Sequence, residues 1–434
     1  MSLYAGLQAR SADPIRVGVI GAGKFGTMFL AQAVRLPGVH VAGVADLDPG
    51  QARSNMELAG WDAARFGTGD GQTRLGEDAR ALVADPAIDI IVEATGNPVV
   101  AVDHLLAAFD AGKHVINATV EADAVCGAVL ARRAAAAGVI YSMAYGDQPA
   151  LVCELVDWAR TCGFEVAAAG RGHKWRPEYR YSTPDTIWDH WGLTPAQAAR
   201  GRLNPRMFNS FLDGTKPAIE SAAIANACGL DVAEGGLGYP SGCIDDLPNQ
   251  MRPRAEGGVL DGPGMVEVQN CLTPEGAPIG YDVRMGVWVV VRAATDYQRR
   301  CFEEYLVNKD DSGRYLAAYK RWHLIGLELG MSVAQVGLRG ESTGTATEFR
   351  ADVVAVAKRD LAPGEMLDGE GGYTVAGQLR PARVSVAMRA LPLGLTGDAR
   401  VVRAVKRDQV LTYADVEMDQ TLRAVRLRRE MEAL

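Results

Sequence analysis

Residues 15–26 read IRVGVIGAGKFG, and this stretch decides the fold. Ile15–Ile20 is a run of mostly β-branched and apolar residues, the composition of a buried strand. Gly21, Gly23 and Gly26 follow at once in G-x-G-x-x-G spacing, with Lys24 and Phe25 inside the loop. The next stretch, MFLAQAVRL, carries apolar side chains at helical spacing. VHVAGVAD then reads as a second strand ending in Asp46, twenty residues past Gly26. Strand, glycine loop, helix, strand and acid form the context a dinucleotide fingerprint requires. Gly21 permits the tight turn, Gly23 lets a pyrophosphate approach the backbone, and Gly26 lets the helix pack on the sheet. The helix N-terminus offers unpaired N–H groups and the positive end of a dipole to that pyrophosphate. Asp46 would accept hydrogen bonds from the adenosine ribose hydroxyls. That favours NAD, although Arg35 or Arg53 leaves NADP open.

Working outward, the alternation continues with a strand at DIIVEATG (89–96), a helix from Pro98 to Ala111 and a strand at KHVINATV (113–120). A further helix leads to the strand VIYSMAY. Repeated βα units of this length build a doubly wound parallel sheet. Thr95, Gly96 and Asn97 fall just past one strand end and Asn117 at the next, which makes them cofactor candidates.

Beyond residue 150 the pattern changes to α+β. GDQPALVCELVDWAR starts an amphipathic helix, and the strand FEVAAAG is read as opening onto a loop with Arg171, His173, Lys174 and Arg176. MFNSFLDGTKPAIESAAIANACGL carries Asn209, Asp213, Lys216 and Glu220. Lys216 and Glu220 share a helical face at i, i+4, at the mouth of an otherwise small and apolar helix. Lys174 and Lys216 are the candidates to polarise or protonate a substrate oxygen, with Asp213 and Glu220 orienting them. Arg171, His173, Asn209 and Arg252 are the substrate-binding candidates, the arginines for a phosphate or carboxylate. Tyr315–Leu329 is expected as a packed helix bearing His323.

The expected organisation is a Rossmann domain over 1–150, an α+β substrate domain over 151–345 and a β-rich domain over 346–434. The last helix of the middle domain, about 315–339, is expected to pack back on the Rossmann domain. The 434 residues, 48% of them apolar and 23% charged, suit a globular chain of two or three domains. A net charge of −8 argues against nucleic acid as a partner. The seven scattered cysteines contain no C-x-x-C pair, so neither a disulfide framework nor a zinc site is expected. The N-terminus lacks a signal-peptide pattern and no run has the length of a membrane span, giving an expectation of a cytoplasmic protein. A homo-oligomer acting on a small molecule is expected.

VGVIGAGKFGTMFL, IDIIVEATGNPVV and AYGDQPALVCELVDWA resemble the homoserine-dehydrogenase-like oxidoreductases. AKRDLAPGEML resembles the SAF (antifreeze and sialic-acid-synthase) module. The combination is similar to the bacterial group that includes the 1-deoxy-D-xylulose 5-phosphate reductoisomerase-like (DXR-like) enzymes. The resemblance implies NAD(P)-dependent reduction, after isomerisation, of a small polar or phosphorylated carbonyl compound. It places Gly21, Gly23, Gly26, Asp46 and Thr95–Asn97 at the cofactor and Lys174 and Lys216 at the substrate. It also implies a divalent metal, magnesium or manganese, with Asp245, Asp246 and Glu220 as candidate ligands, although no ligand spacing marks one. The homoserine signature is only echoed by LDGTK, and the Glu-Lys-Pro motif of sugar oxidoreductases is missing. Two other readings stand beside it: a plain dehydrogenase of a small hydroxy or amino acid, and a dinucleotide-sensing protein without catalysis.

Overall fold

The computed structural model describes residues 2–201 and 203–434. The chain forms two compact units, one of residues 1–151 with 323–347 and one of 152–322 with 348–434.

The first unit is built on six strands: β1 (Ile15–Ile20), β2 (Val39–Ala45), β3 (Arg74–Gly76), β4 (Ile90–Glu93), β5 (His114–Asn117) and β6 (Tyr141–Met143). They lie in the order β3-β2-β1-β4-β5-β6, all parallel. Val17, Val19, Ile90 and Val92 are fully buried, as strands covered on both faces by helices must be. The chain order reverses between β1 and β4, and ligands of such sheets bind beyond the C-terminal strand ends at that reversal. Helix Gly330–Arg339 belongs to this unit and adds Val333, Ala334 and Val336 to its core beside Val19, Phe29 and Leu30.

The second unit carries β7 (Glu165–His173), β8 (Met265–Asn270), β9 (Val287–Arg292) and β10 (Tyr315–Lys320) in the order β10-β9-β7-β8. β7 and β8 are parallel and the other pairs antiparallel. Trp288 is buried in its core and donates from Nε1 to the Arg171 carbonyl at 3.1 Å. Two small antiparallel pairs complete the unit: β11 (Ala351–Ala357) with β12 (Val375–Pro381), and β13 (Arg400–Val401) with β14 (Val416–Glu417). Asn226, in helix Thr215–Cys228, donates to the Ala351 carbonyl at 3.0 Å and accepts from the Ala351 N–H at 2.9 Å. Arg428 of the final helix, Arg423–Glu432, forms a buried ion pair with Asp352 of β11.

Two expectations are revised. Tyr315–Leu329 is not a helix: β10 occupies its first six residues, and only Gly330–Arg339 is helical beyond it. The alternating burial of Tyr315, Leu316, Ala317 and Ala318 shows the period of two that the short apolar run concealed. β7 does not stop at Gly170; it runs on to His173, so Arg171 and His173 lie on a strand rather than in a loop. Residues 323–347, including helix Gly330–Arg339, fold with the first unit, and 348–434 fold with 152–322.

Candidate functional site

In the first unit the glycines shape the loop between β1 and helix Lys24–Ala33. Gly21 has φ +94°, and a Cβ there would stand 2.6 Å from the Ala94 carbonyl oxygen. A Cβ on Gly26 would lie 2.1 Å from the Gly21 oxygen, so only glycine lets the helix sit this close. Gly23 differs: a Cβ there would meet nothing within 4 Å, and it caps a helix whose N-terminus has no side-chain partner. The residues present therefore fit a dinucleotide, with an open backbone approach where a pyrophosphate would rest. Asp46 accepts from Ala22 N–H at 2.7 Å and from Asp48 N–H at 3.0 Å, so the acid also fixes the glycine loop. Lys24 is exposed, whereas Phe25 packs against the core.

At the next strand end Thr95, Gly96 and Asn97 are exposed. Asn97 caps helix Pro98–Asp110, accepting from Val99 and Val100 N–H at 3.0 and 3.2 Å. Behind them Glu93, fully buried, accepts from the hydroxyls of Thr95 (2.6 Å) and Thr119. Asn117 turns inward. It is 2% exposed, and its amide nitrogen serves the Thr119 carbonyl, Asp123 and Tyr141 at 2.9–3.1 Å. A side chain so committed is a brace for the strand end rather than a surface contact, which departs from its expected place at the cofactor. Burial pushes the Asp123 carboxyl up to about 7 against the hydrogen bonds from Tyr141 and Asn117.

In the second unit Arg171, His173 and Lys174 lie at the end of β7, and the candidate carboxylates have other partners than expected. Asp213 pairs with Lys358 at 2.6 Å, and both side chains are almost wholly buried. Its second oxygen accepts from Thr215 N–H at 2.9 Å; burial nonetheless raises its pKa. Glu220 pairs with Arg171 in the interior. The two carboxylates expected to orient lysines Lys174 and Lys216 thus neutralise Lys358 and Arg171. Arg252 is likewise paired, with Asp310. Arg171 and Arg252, expected to hold a substrate anion, each have their charge met by an internal carboxylate.

His173 is buried and hydrogen-bonded to the Phe211 carbonyl at 2.7 Å; burial and then Arg171 hold its pKa well below the usual histidine value. It is a neutral packing donor rather than a substrate contact. Asn209 is also structural: its amide donates to the carbonyls of Ser182 (3.1 Å) and Gly371 (3.0 Å) and accepts from the Ser182 hydroxyl at 2.6 Å. Lys174 remains half-buried, donating to the His190 carbonyl at 2.6 Å, with its pKa lowered by burial and by Arg284. Lys216 stands in the first turn of helix Thr215–Cys228.

Sequence reasoning missed Lys358, Glu267, Trp175 and Tyr239. Glu267 is buried on β8 among backbone donors from Gly238, Tyr239 and Val268, and burial pushes it up to about 7. Trp175 and Tyr239 stack at 4.3 Å between ring centres. Lys358 had a visible signal, a cation ending the apolar run DVVAVAK; the stack had none. Among the described residues no group of three or more His, Cys, Asp or Glu is placed to hold a metal ion. Asp246 instead accepts from Cys243 N–H, and Glu220 faces Arg171, so the proposed ligand set of Asp245, Asp246 and Glu220 does not fit a metal.

Two family models match parts of the chain. Residues 15–117 match the family described as "Oxidoreductase family, NAD-binding Rossmann fold", the Gfo/Idh/MocA type. Residues 146–329 match "Oxidoreductase DRL, catalytic domain". A homoserine dehydrogenase from Methylobacillus glycogenes is 38% identical over 114 residues, covering 24% of this chain and 24% of that protein. A homoserine dehydrogenase structure from Thiobacillus denitrificans is 20% identical, with a TM-score of 0.36 and 50% of each chain covered. An NAD-binding oxidoreductase structure from Klebsiella pneumoniae is 23% identical, with a TM-score of 0.28, covering 39% of this chain and 47% of that one. The chain spans about a quarter of the curated relative's length and about half of these two structures. No helix among the described residues is long and apolar enough to cross a membrane.

Proposed function

We propose that the protein is an NAD(P)-dependent oxidoreductase that reduces a carbonyl group on a small polar or phosphorylated substrate. The observation that carries this reading is the open backbone at Gly23, between two glycines, Gly21 and Gly26, that leave no room for a side chain, in a chain that also matches an oxidoreductase catalytic domain. Gly21, Gly23 and the N-terminus of helix Lys24–Ala33 hold the pyrophosphate, and Asp46 takes the adenosine ribose. Thr95 and Gly96 border the same strand-end crevice. The bound nicotinamide supplies or takes up the hydride.

Lys174 is the proton donor to the substrate oxygen, because burial and the Arg284 charge both favour release of its proton. Lys216, at a helix start, is the second polar contact. Asp213 and Glu220 act at one remove by fixing Lys358 and Arg171. The resemblance to DXR-like enzymes makes 1-deoxy-D-xylulose 5-phosphate the first substrate to assay, with isomerisation preceding reduction. The SAF-like reading of residues 346–434 gives that segment a bracing role. The homoserine dehydrogenase relative supports a second reading, oxidation of a small hydroxy or amino acid by the same groups.

The test is NADPH and NADH oxidation by purified protein with 1-deoxy-D-xylulose 5-phosphate, with and without magnesium or manganese, beside homoserine with NAD. Turnover that falls about 10²–10⁴-fold in Lys174→Met supports the reading and the residue. Nucleotide binding without turnover of any carbonyl or alcohol in a wider panel would instead mark a dinucleotide sensor.

A further inference from the structure

The sequence holds no C-x-x-C pair, yet the fold brings two distant cysteines together. Cys153 lies in helix Gln148–Thr161, and Cys228 ends helix Thr215–Cys228, 75 residues further along the chain. The Cys228 thiol donates to the Cys153 sulfur at 3.7 Å. Both residues belong to the second unit. Cys228 is buried, whereas Cys153 is only half-buried and so can be reached by a small molecule.

Two helices, each fixed by other contacts, set this meeting of sulfurs. Thr215–Cys228 is buried along nearly its whole length, Pro217 to Asn226 without a break. Gly229 follows in the left-handed region at φ +62°, and its N–H bonds the Ala225 carbonyl, so the helix stops with Cys228 in its last position. Other thiols of the unit are placed differently. Burial pushes the Cys271 thiol up to about 11 and also raises Cys243, which keeps both protonated and slow to react. Cys162 is exposed, one residue past the end of helix Gln148–Thr161.

We propose that Cys153 and Cys228 are a modification site, forming a reversible disulfide on exposure to hydrogen peroxide. Closing the pair takes the sulfurs from 3.7 Å to about 2.0 Å, a step on the scale of side-chain rotation rather than of helix displacement. Peroxide oxidises the Cys153 thiolate to a sulfenic acid, its O–O bond breaking with release of hydroxide. The Cys228 thiol then attacks that sulfur: the S–S bond forms, the S–O bond breaks, and the Cys228 proton leaves with the hydroxyl as water. The two sulfurs give up two electrons in all, and the peroxide takes them. A dithiol reverses the bond by thiol–disulfide exchange. The closed ring holds Lys174, Lys216 and the Arg171–Glu220 pair, and it pins the far end of the helix whose first turn carries Lys216. Neither the bond nor its test requires a cofactor or a substrate, so the inference stands or falls apart from the oxidoreductase reading.

The test treats the full chain with hydrogen peroxide, in a Cys162→Ser background that removes the exposed thiol most able to link two chains. Remaining thiols are then alkylated, and the protein is digested without reductant for peptide mass mapping. The expected result is a cross-linked Cys153–Cys228 peptide within one chain, lighter by two hydrogens than its parts and separated again by dithiothreitol. The oxidised chain should melt a few degrees above the reduced one, because the ring limits the unfolded state. In Cys228→Ser the sulfenic acid on Cys153 has no thiol to resolve it and should be trapped by dimedone; its absence there overturns the assigned step. Both cysteines alkylated as fully after peroxide as before, a bond from either to some other cysteine or to a second chain, or sulfinic acid on Cys153 in place of the cross-link would each overturn the proposal. An oxidised chain that melts below the reduced one would show that the bond distorts the helices, and would overturn the fit on which the proposal rests. The mapping of the chain with both cysteines intact decides the question even if a serine variant fails to fold.

Discussion

The two sheet ends of this protein solve opposite problems. The end of β1 is made of backbone: Gly21, Gly23 and Gly26 remove side chains so that a ligand and a helix can both come close. The end of β7 is made of buried charge, with Arg171–Glu220 and Asp213–Lys358 paired in the interior. A backbone site is set by steric exclusion over a dozen consecutive residues. A charge-paired site is set by partners far apart in the chain, 49 residues for one pair and 145 for the other. The first tolerates no added atom at Gly21 or Gly26; the second tolerates almost no lost partner.

The largest effect is expected where one partner of a pair is removed. Lys358→Met leaves the Asp213 carboxylate buried and uncompensated, and should cost about 3–5 kcal/mol of stability by chemical denaturation. Adding Asp213→Leu should recover much of that loss. A single variant as stable as the parent would show the pair to be idle and dissolve the contrast between the two ends.

Next comes a carboxyl that the first unit buries without a cation. Asp123 is raised to about 7 in the folded chain from an ordinary 3.8. The folded state therefore holds a proton that the unfolded state has released, and stability falls as pH rises from about 4 to about 7. The integrated loss is at most about 4 kcal/mol. Glu267, raised to about 7 from 4.5, has the same sign in the second unit. Asp123→Asn should remove the first unit's share of this slope. An unchanged slope in Asp123→Asn would assign the pH dependence to the raised carboxyls of the second unit, Glu267 and Asp213.

This contrast also governs how much of the molecule could be read from sequence. The Rossmann order was legible because each part is local: strand, glycines, helix and Asp46 lie within 32 residues. Lys174, Asp213 and Glu220 were legible as polar residues near a strand end and a helix start, but their partners were not. Nothing near Asp213 in the chain announces Lys358, and the i, i+4 spacing of Lys216 and Glu220 carries no hint of Arg171. Tyr315–Leu329 failed for a different reason, since YLAAY satisfies helix and strand periods equally and only sheet pairing with β9 decides it.

Two glycine substitutions carry the smallest changes in stability, and together they separate packing from binding. Gly26→Ala forces a methyl onto the Gly21 carbonyl and should cost about 1–3 kcal/mol, as overpacking does. Gly23→Ala meets nothing within 4 Å and should leave the melting temperature within a degree or two of the parent, a change of no more than about 0.5 kcal/mol. Its added methyl occupies the open approach at the helix N-terminus, where a pyrophosphate would rest against bare N–H groups. NADH affinity, read by fluorescence titration, should therefore fall while the fold stands. If Gly23→Ala binds NADH as the parent does, the pyrophosphate does not rest there and the open glycine is only a cap. If it also unfolds, the loop is strained in a way that its empty surroundings do not predict. The intermediate outcome, a folded protein that has lost its nucleotide, is the one that makes the first sheet end a binding site rather than a packing solution.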